Sequence, residues 1–274
     1  MKIKLIAVDM DGTILRTDRT VSERTAATLQ RAAEHGCIVL PASGRVANNL
    51  PKQVVSIPGV RYAITSNGAS AVDLQSGASL YSNLMEGETP YRLLKRLLSD
   101  GYFAEVYSGG VSYSDKNMLD ALIRLHPPED LMEFILHSQI FVDDLPDFIV
   151  SHRFCPEKIN VPFLPREAAE GLRQELKKSG EYTLCSSFPD NIEINRAGCS
   201  KGEALKHLCR MFGIRREEVM AVGDGGNDFT MLHFAGIGVA MRNASPELLT
   251  GADCVTASND EDGAALAIEK FAFA

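Results

Sequence analysis

The run Ile3-Lys4-Leu5-Ile6-Ala7-Val8-Asp9-Met10-Asp11-Gly12-Thr13 decides how the rest of the chain is read. Residues 3–8 form a short, nearly continuous apolar stretch that breaks abruptly into acidic residues and a glycine. That is the pattern of a parallel strand buried on both faces and ending at a functional edge. A helix is expected next, with Ser22 as N-cap, Glu23 in the positive first turn, Leu29, Ala32 and Ala33 as the buried stripe, and Gly36 as the stop. Residues 37–42 read as a second strand, with Pro41 placed at its end because proline has no N–H for a central ladder. Residues 62–65 read as a third strand, ending at Asn67-Gly68. This alternation predicts a doubly wound α/β domain.

From about residue 84 the rhythm changes. Thr89 and Pro90 read as cap and first position of a helix reaching Gly101, and Gly109-Gly110 reads as the turn of a hairpin over 102–108 and 111–114. Helices over 119–125, 131–137 and 166–179 and strands over 158–163 and 182–186 complete an α+β insert. The α/β pattern is read as returning at Ile192. Ser200-Lys201-Gly202-Glu203 then resembles a capping box, 219–222 a buried strand, and 237–241 and 253–256 two more, with a helix started by Ser245-Pro246-Glu247 between them. The predicted division is a core of residues 1–83 and 190–274, Rossmann-like, with 84–189 inserted as an α+β cap.

Composition bounds the function. With 45% hydrophobic and 23% charged residues among 274, the chain can bury a full core. A net charge of −8 argues against a nucleic-acid partner, which requires a basic face. No apolar run is long enough to span a membrane, and the N-terminal segment turns acidic before a signal-peptide core could form, so a cytoplasmic location is expected. The six cysteines show no C-x-x-C pair and read as reduced, mostly buried residues.

Three clusters fall at predicted strand ends: Asp9 to Thr13, Ser43-Gly44-Arg45, and Gly223-Asp224-Gly225-Gly226-Asn227-Asp228. In an open parallel sheet such edges converge on one crevice. Mg²⁺ takes oxygen ligands from one or two carboxylates, a carbonyl, waters and a phosphate, and Asp9, the Asp11 carbonyl and Asp224 could supply the protein's share. Lys201 could offset the repulsion between an attacking carboxylate and a phosphate dianion. The N–H groups of Met10 and Gly44, with the Ser43 hydroxyl, could cradle phosphate oxygens. Each cluster alone also fits an ordinary solvated turn, and Lys201 alone fits a surface lysine in a first helical turn. Their combination and order point to phosphoryl chemistry.

Together these clusters resemble the haloacid dehalogenase-like superfamily of phosphohydrolases, in its Cof-type branch, subfamily IIB. The tail Ser258-Asn259-Asp260-Glu261-Asp262-Gly263-Ala264 is similar to that branch as well. The resemblance implies a Mg²⁺-dependent phosphatase that hydrolyses a small phosphorylated metabolite, a sugar phosphate or similar, through an aspartyl-phosphate on Asp9. It implies that Asp11 is the general acid/base and gives Mg²⁺ its carbonyl, that Ser43 and Gly44 bind phosphate, and that Lys201 stabilises charge. By the same resemblance Asp224 is a metal carboxylate, Asn227 a phosphate-contacting amide, and Asp228 an outer-shell partner, while Arg45 and Asn67 line the pocket. The alternatives are a phosphomutase and a non-catalytic phosphate-binding or phosphoacceptor protein. Oligomeric state is left open.

Overall fold

The computed structural model describes residues 2–186 and 190–273. In the first stretch, β1 (Leu5–Asp9), β2 (Ile38–Ala42) and β3 (Tyr62–Thr65) are followed by a hairpin of β4 (Ser70–Asp73) and β5 (Ser79–Ser82). The insert contributes β6 (Glu105–Ser108), β7 (Val111–Asp115), β8 (Gln139–Val142), β9 (Lys158–Val161), β10 (Tyr182–Cys185) and β11 (Ile192–Arg196). The last stretch adds β12 (Val219–Gly223), β13 (Ile237–Ala240) and β14 (Cys254–Val255).

Among the described residues these strands form two sheets, ordered β14-β13-β12-β1-β2-β3-β4-β5 and β10-β11-β9-β6-β7-β8. In the first sheet β14 to β3 run parallel, and β4 and β5 are antiparallel additions at one edge. Every residue of β1 is buried. Ile6 and Val8 pack with Leu29 and Ala32 of helix Glu23–Glu34 and Ile268 of helix Gly263–Ala272. Leu5 and Ala7 pack on the opposite face with Leu205 and Leu208 of helix Lys201–Phe212. Helices thus cover both faces, which is why the strand reads as apolar throughout. Chain order reverses at β1, with β2 on one side and β12 on the other, and this switch point is where such sheets open a crevice.

The chain divides into two compact units, residues 1–82 with 199–274, and residues 83–198. This corrects the expected return to the core at residue 190. β11 pairs antiparallel with β9 and β10, so it closes the second sheet. The boundary drawn at 189/190 also touches residues 187–189, which lie outside the described residues. In the second unit the apolar side chains Val106, Ile159 and Ile194 join a core with Leu94, Ile149 and Leu172, from helices Thr89–Ser99, Leu145–Ser151 and Arg166–Ser179. Of three expected caps, two form and one does not. Ser22 and Ser200 cap their helices, accepting from Thr25 N and Glu203 N at 3.0 and 3.1 Å. Thr89 is inside its helix, whose N-cap position is Glu88 with no side-chain bond. Among the described residues no helix is long and apolar enough to cross a membrane.

Candidate active site

β1 ends on Asp9, and β12 ends on Gly223 beside Asp224, so the two adjacent strands deliver two carboxylates to the crevice. The N-terminus of helix Lys201–Phe212 delivers the cation. Lys201 Nζ lies 2.5 Å from Asp9 Oδ1 and 2.6 Å from Asp228 Oδ1, and its side chain is 0% exposed. Such burial removes the reading of Lys201 as a solvated first-turn residue. The other oxygen of Asp228 accepts the main-chain N–H groups of Asp224 and Gly225 at 3.0 and 2.9 Å. Asp228 therefore folds its own loop back and aims the lysine. Gly223 has no room for a side chain, because a Cβ there would fall 2.5 Å from the Asp228 carboxyl carbon.

Oxygens of Asp9, Asp224 and Asp228 all lie within 4.8 Å of one another. Three carboxylates around one ammonium leave a formal charge of −2 if all are ionised, enough for a divalent cation to balance. Burial pushes the Asp9 carboxyl well above its ordinary range, with Asp228 and Asp224 adding to the rise and Lys201 opposing it. Burial also raises Asp224, to about 6, against the opposing bond from Thr13. For Lys201 burial favours the neutral amine, but Asp228 and Asp9 outweigh it and raise the group, so it is held as ammonium. Crowded, destabilised carboxylates of this kind are the donor set a hard oxygen-seeking cation fits.

The turn after Asp9 is built on Gly12, at φ +81°, where a Cβ would lie 2.3 Å from Asp224 Oδ2. Only glycine allows that approach. Thr13 Oγ1 donates to Asp224 Oδ1 at 2.7 Å, a link between two motifs that neither motif alone reveals. Met10 is buried, and its carbonyl accepts from Thr13 N and Leu15 N at 3.3 and 2.8 Å. On the neighbouring strand end, Ser43 is buried and its hydroxyl accepts from Arg45 N at 3.1 Å, with Gly44 between them. Asn67, at φ 60°, donates its N–H to the Ser43 carbonyl at 3.1 Å and accepts from Asn227 Nδ2 at 3.0 Å through its side chain. Gly68 follows because a Cβ there would strike the Ser200 carbonyl at 2.1 Å, so this glycine lets the lysine-bearing helix approach.

Asp11 stands apart from the carboxylate cluster. Its oxygens accept from Arg45 Nε and Nη2 at 2.8 and 2.6 Å in a two-point pair, and its side chain is 52% exposed. The structure thus groups Asp9, Asp224, Asp228 and Lys201, links Ser43 to Asn67 and Asn227, and pairs Asp11 with Arg45.

A doubly wound core with carboxylates and a lysine at its switch point is the frame of a phosphoryl-transfer enzyme. The sequence profile of the haloacid dehalogenase-like hydrolases matches residues 6–268, and the chain belongs to that family. It is 32% identical to Phosphatase YwpJ of Bacillus subtilis, over 96% of this chain and 98% of the relative. It is 29% identical to the 5-amino-6-(5-phospho-D-ribitylamino)uracil phosphatase YcsE of the same organism, over 97% and 94%. A solved haloacid dehalogenase-like hydrolase from B. subtilis superposes with a TM-score of 0.83 at 30% identity, covering 97% of this chain and 99% of that one. The chain is a phosphatase of that family.

Proposed function

We propose that the chain is a Mg²⁺-dependent phosphatase that removes the phosphoryl group from a sugar phosphate or similar metabolite through an aspartyl-phosphate on Asp9. The observation that carries this reading is the cluster of buried Asp9 and Asp228, both paired with Lys201, and half-buried Asp224 beside them, with more carboxylate than this cation balances. Phosphatases for 5-amino-6-(5-phospho-D-ribitylamino)uracil and HMP-PP among its relatives favour a small phosphorylated metabolite over a macromolecule.

Asp9, the Asp11 main-chain carbonyl and Asp224 would hold Mg²⁺, which supplies charge neutralisation at the phosphate and the attacking carboxylate. Asp228 has both oxygens engaged by Lys201 and by main-chain N–H groups, so it suits an orienting role outside the metal's own ligands. The Met10 and Gly44 N–H groups, the Ser43 hydroxyl, the Asn227 amide and Lys201 would hold the non-bridging oxygens. Asp9 attacks phosphorus, the ester P–O bond breaks, and Asp11 gives its proton to the departing oxygen. Asp11 then takes a proton from water as that water attacks the aspartyl-phosphate, releasing inorganic phosphate and restoring Asp9. A proton on Asp11 competes with the Arg45 donors for the same oxygens, so donation requires that pair to open. The second unit, residues 83–198, would serve as the cap and select the leaving group.

The decisive experiment is hydrolysis of an aryl phosphate and a panel of phosphorylated metabolites with and without Mg²⁺, by wild type and Asp9→Asn. Turnover should require Mg²⁺ and fall on the order of 10⁴-fold or more in the variant, since an amide cannot attack phosphorus. Normal turnover by Asp9→Asn would overturn the assignment. Return of the phosphoryl group to a sugar would identify a mutase, and binding without turnover would identify a phosphoacceptor.

A further inference from the structure

The tail 258–264 has no part in the chemistry above, yet it lies against the loop that follows the nucleophile. Sheet pairing of β1 stops at Asp9, so beyond that point the loop must be held by other means. Part of the hold is its own turn, with Leu15 N donating to the Met10 carbonyl. The rest comes from more than 200 residues away. Asn259, 7% exposed, donates through Nδ2 to the Leu15 carbonyl at 3.0 Å. Its main-chain N–H donates to Asn243 Oδ1 at 3.1 Å, and Asn243 Nδ2 donates to the Gly12 carbonyl at 2.8 Å. Farther along, Asp260 accepts from the N–H and the hydroxyl of Thr17 at 2.9 and 2.7 Å, and Asp262 pairs with Arg16 at 2.9 Å.

The choice of asparagine is chemical. The loop presents carbonyls, which need donors, while the tail presents an N–H, which needs an acceptor. One amide at 243 satisfies both at once, whereas a carboxylate could serve only the N–H and an alanine neither. The turn so held lies directly against a proposed ligand, because Gly12 stands against the Asp224 carboxylate without space for a Cβ. A shift of a few tenths of an ångström at Gly12 would change how the Asp11 carbonyl stands relative to Asp224.

We infer that Asn243 and Asn259 are positioning residues that clamp the Asp11–Gly12 turn against Asp224 and thereby set the spacing of the oxygens that receive the divalent cation. The inference rests on the reading of Asp9, the Asp11 carbonyl and Asp224 as the Mg²⁺ ligands. It gives the C-terminal tail a role in the site rather than in the core alone.

The test is calorimetric titration of Mg²⁺ alone into the full chain, for wild type, Asn243→Ala, Asn259→Ala and Asp260→Ala. Melting temperatures and amide exchange of residues 12–17 without metal are measured alongside. Loss of an outer partner of a metal site typically weakens the metal about 10- to 100-fold, and that range is expected for Asn243→Ala and Asn259→Ala, with faster exchange at 12–15. Asp260→Ala, which frees only Thr17, should weaken Mg²⁺ by no more than about threefold, because its bonds lie two residues beyond the nearest asparagine contact. Unchanged Mg²⁺ affinity in the asparagine variants, whatever happens to melting temperature or exchange, overturns the inference. Asn243 is exposed, so its variant decides the matter should Asn259→Ala fail to fold. Wild type that binds no Mg²⁺ instead overturns the reading of the ligands, and the positioning role with it; that result is visible before any variant is compared.

Discussion

In the first unit the buried ions stand where strands end; in the second they stand across the middle of a sheet. Asp9 and Asp224 come from the tips of β1 and β12, and Lys201 from a helix start, so loops and termini aim them at one point. In the second unit Glu105, Asn160 and Glu193 are register partners on three adjacent strands. There Lys158 pairs with Glu193 at 3.1 Å and lies 4.8 Å over the Tyr107 ring, while Glu105 accepts from Tyr107 and Asn160 at 2.8 and 2.7 Å and also from Gln139. The first arrangement concentrates negative charge; the second distributes it among hydrogen-bond donors. Placement at strand ends lets backbone turns bring like charges together, whereas in the second sheet Asn160 on the middle strand keeps the two glutamates two strand separations apart, about 10 Å.

The severest challenge to this contrast is Lys201→Ala. If the first cluster is held together by its single cation, turnover should fall by about 10³-fold on every ester. A first-turn lysine matters little to stability when exposed, but this one is wholly buried between two carboxylates. Its removal should therefore also cost about 3–5 kcal/mol, partly offset by protonation of Asp9, as read by chemical denaturation. Unchanged stability would mean that the cluster is not electrostatically tight.

Next in size is Asp11→Asn, which keeps the main-chain carbonyl but not the proton. Alkyl phosphates should lose about 10² to 10⁴-fold in the phosphorylation step, and aryl phosphates less, since phenolate leaves unaided. Rapid-quench kinetics should show phosphoenzyme accumulating with the aryl ester. Equal losses for both esters would remove Asp11 from the acid role.

A smaller effect should come from pH. Asp224 must be a carboxylate to hold metal, and burial lifts it to about 6 in the metal-free protein. Protons and Mg²⁺ then compete. Apparent Mg²⁺ affinity should fall by about tenfold per pH unit or more below 6, since Asp9 is raised as well, as measured by calorimetry. Affinity that does not weaken in this range would contradict the buried-carboxylate account.

The smallest change at the reacting centre is expected from Glu105→Gln in the second unit. An amide there directs N–H groups at existing donors, so the unit should lose about 1–3 kcal/mol and the ranking of metabolites should change. Hydrolysis of a simple aryl phosphate should stay within about threefold. A larger loss on that ester would erase the division of labour between the units.

The same contrast explains what could be read in advance. The first cluster is written as contiguous runs, Asp9 to Thr13 and Gly223 to Asp228, because each occupies one turn at the end of one apolar strand. Glu105, Lys158, Asn160 and Glu193 are single residues on separate strands, and nothing local marks them as partners. Ile192-Glu193-Ile194-Asn195 alternates with period two, the mark of a strand with one apolar face, yet alternation cannot say which sheet receives it. The expected boundary at 189/190 therefore falls short of the division at 198/199. β4 and β8 are not legible in advance: Ser70-Ala71-Val72-Asp73 has a single β-branched residue, and Gln139-Ile140-Phe141-Val142 runs on directly from helix Glu129–Ser138 with no turn residue between. The pairing of Arg45 with Asp11 and the bonds from Asn243 and Asn259 join distant segments, so only the folded chain brings them together.

The pairing of Leu5 with Val219 also has a bearing on synthesis. A ribosome releases β1 early, but its neighbour β12 emerges only after more than 200 further residues. Meanwhile the strand that ends on Asp9 shows one unpaired, apolar edge, the kind that recruits other chains. The continuous segment 83–198 has both ends of its sheet available sooner and can fold first. The nascent phosphatase therefore has its longest period of exposure around its most central strand, and chaperone capture should be strongest just before residue 219 leaves the exit tunnel.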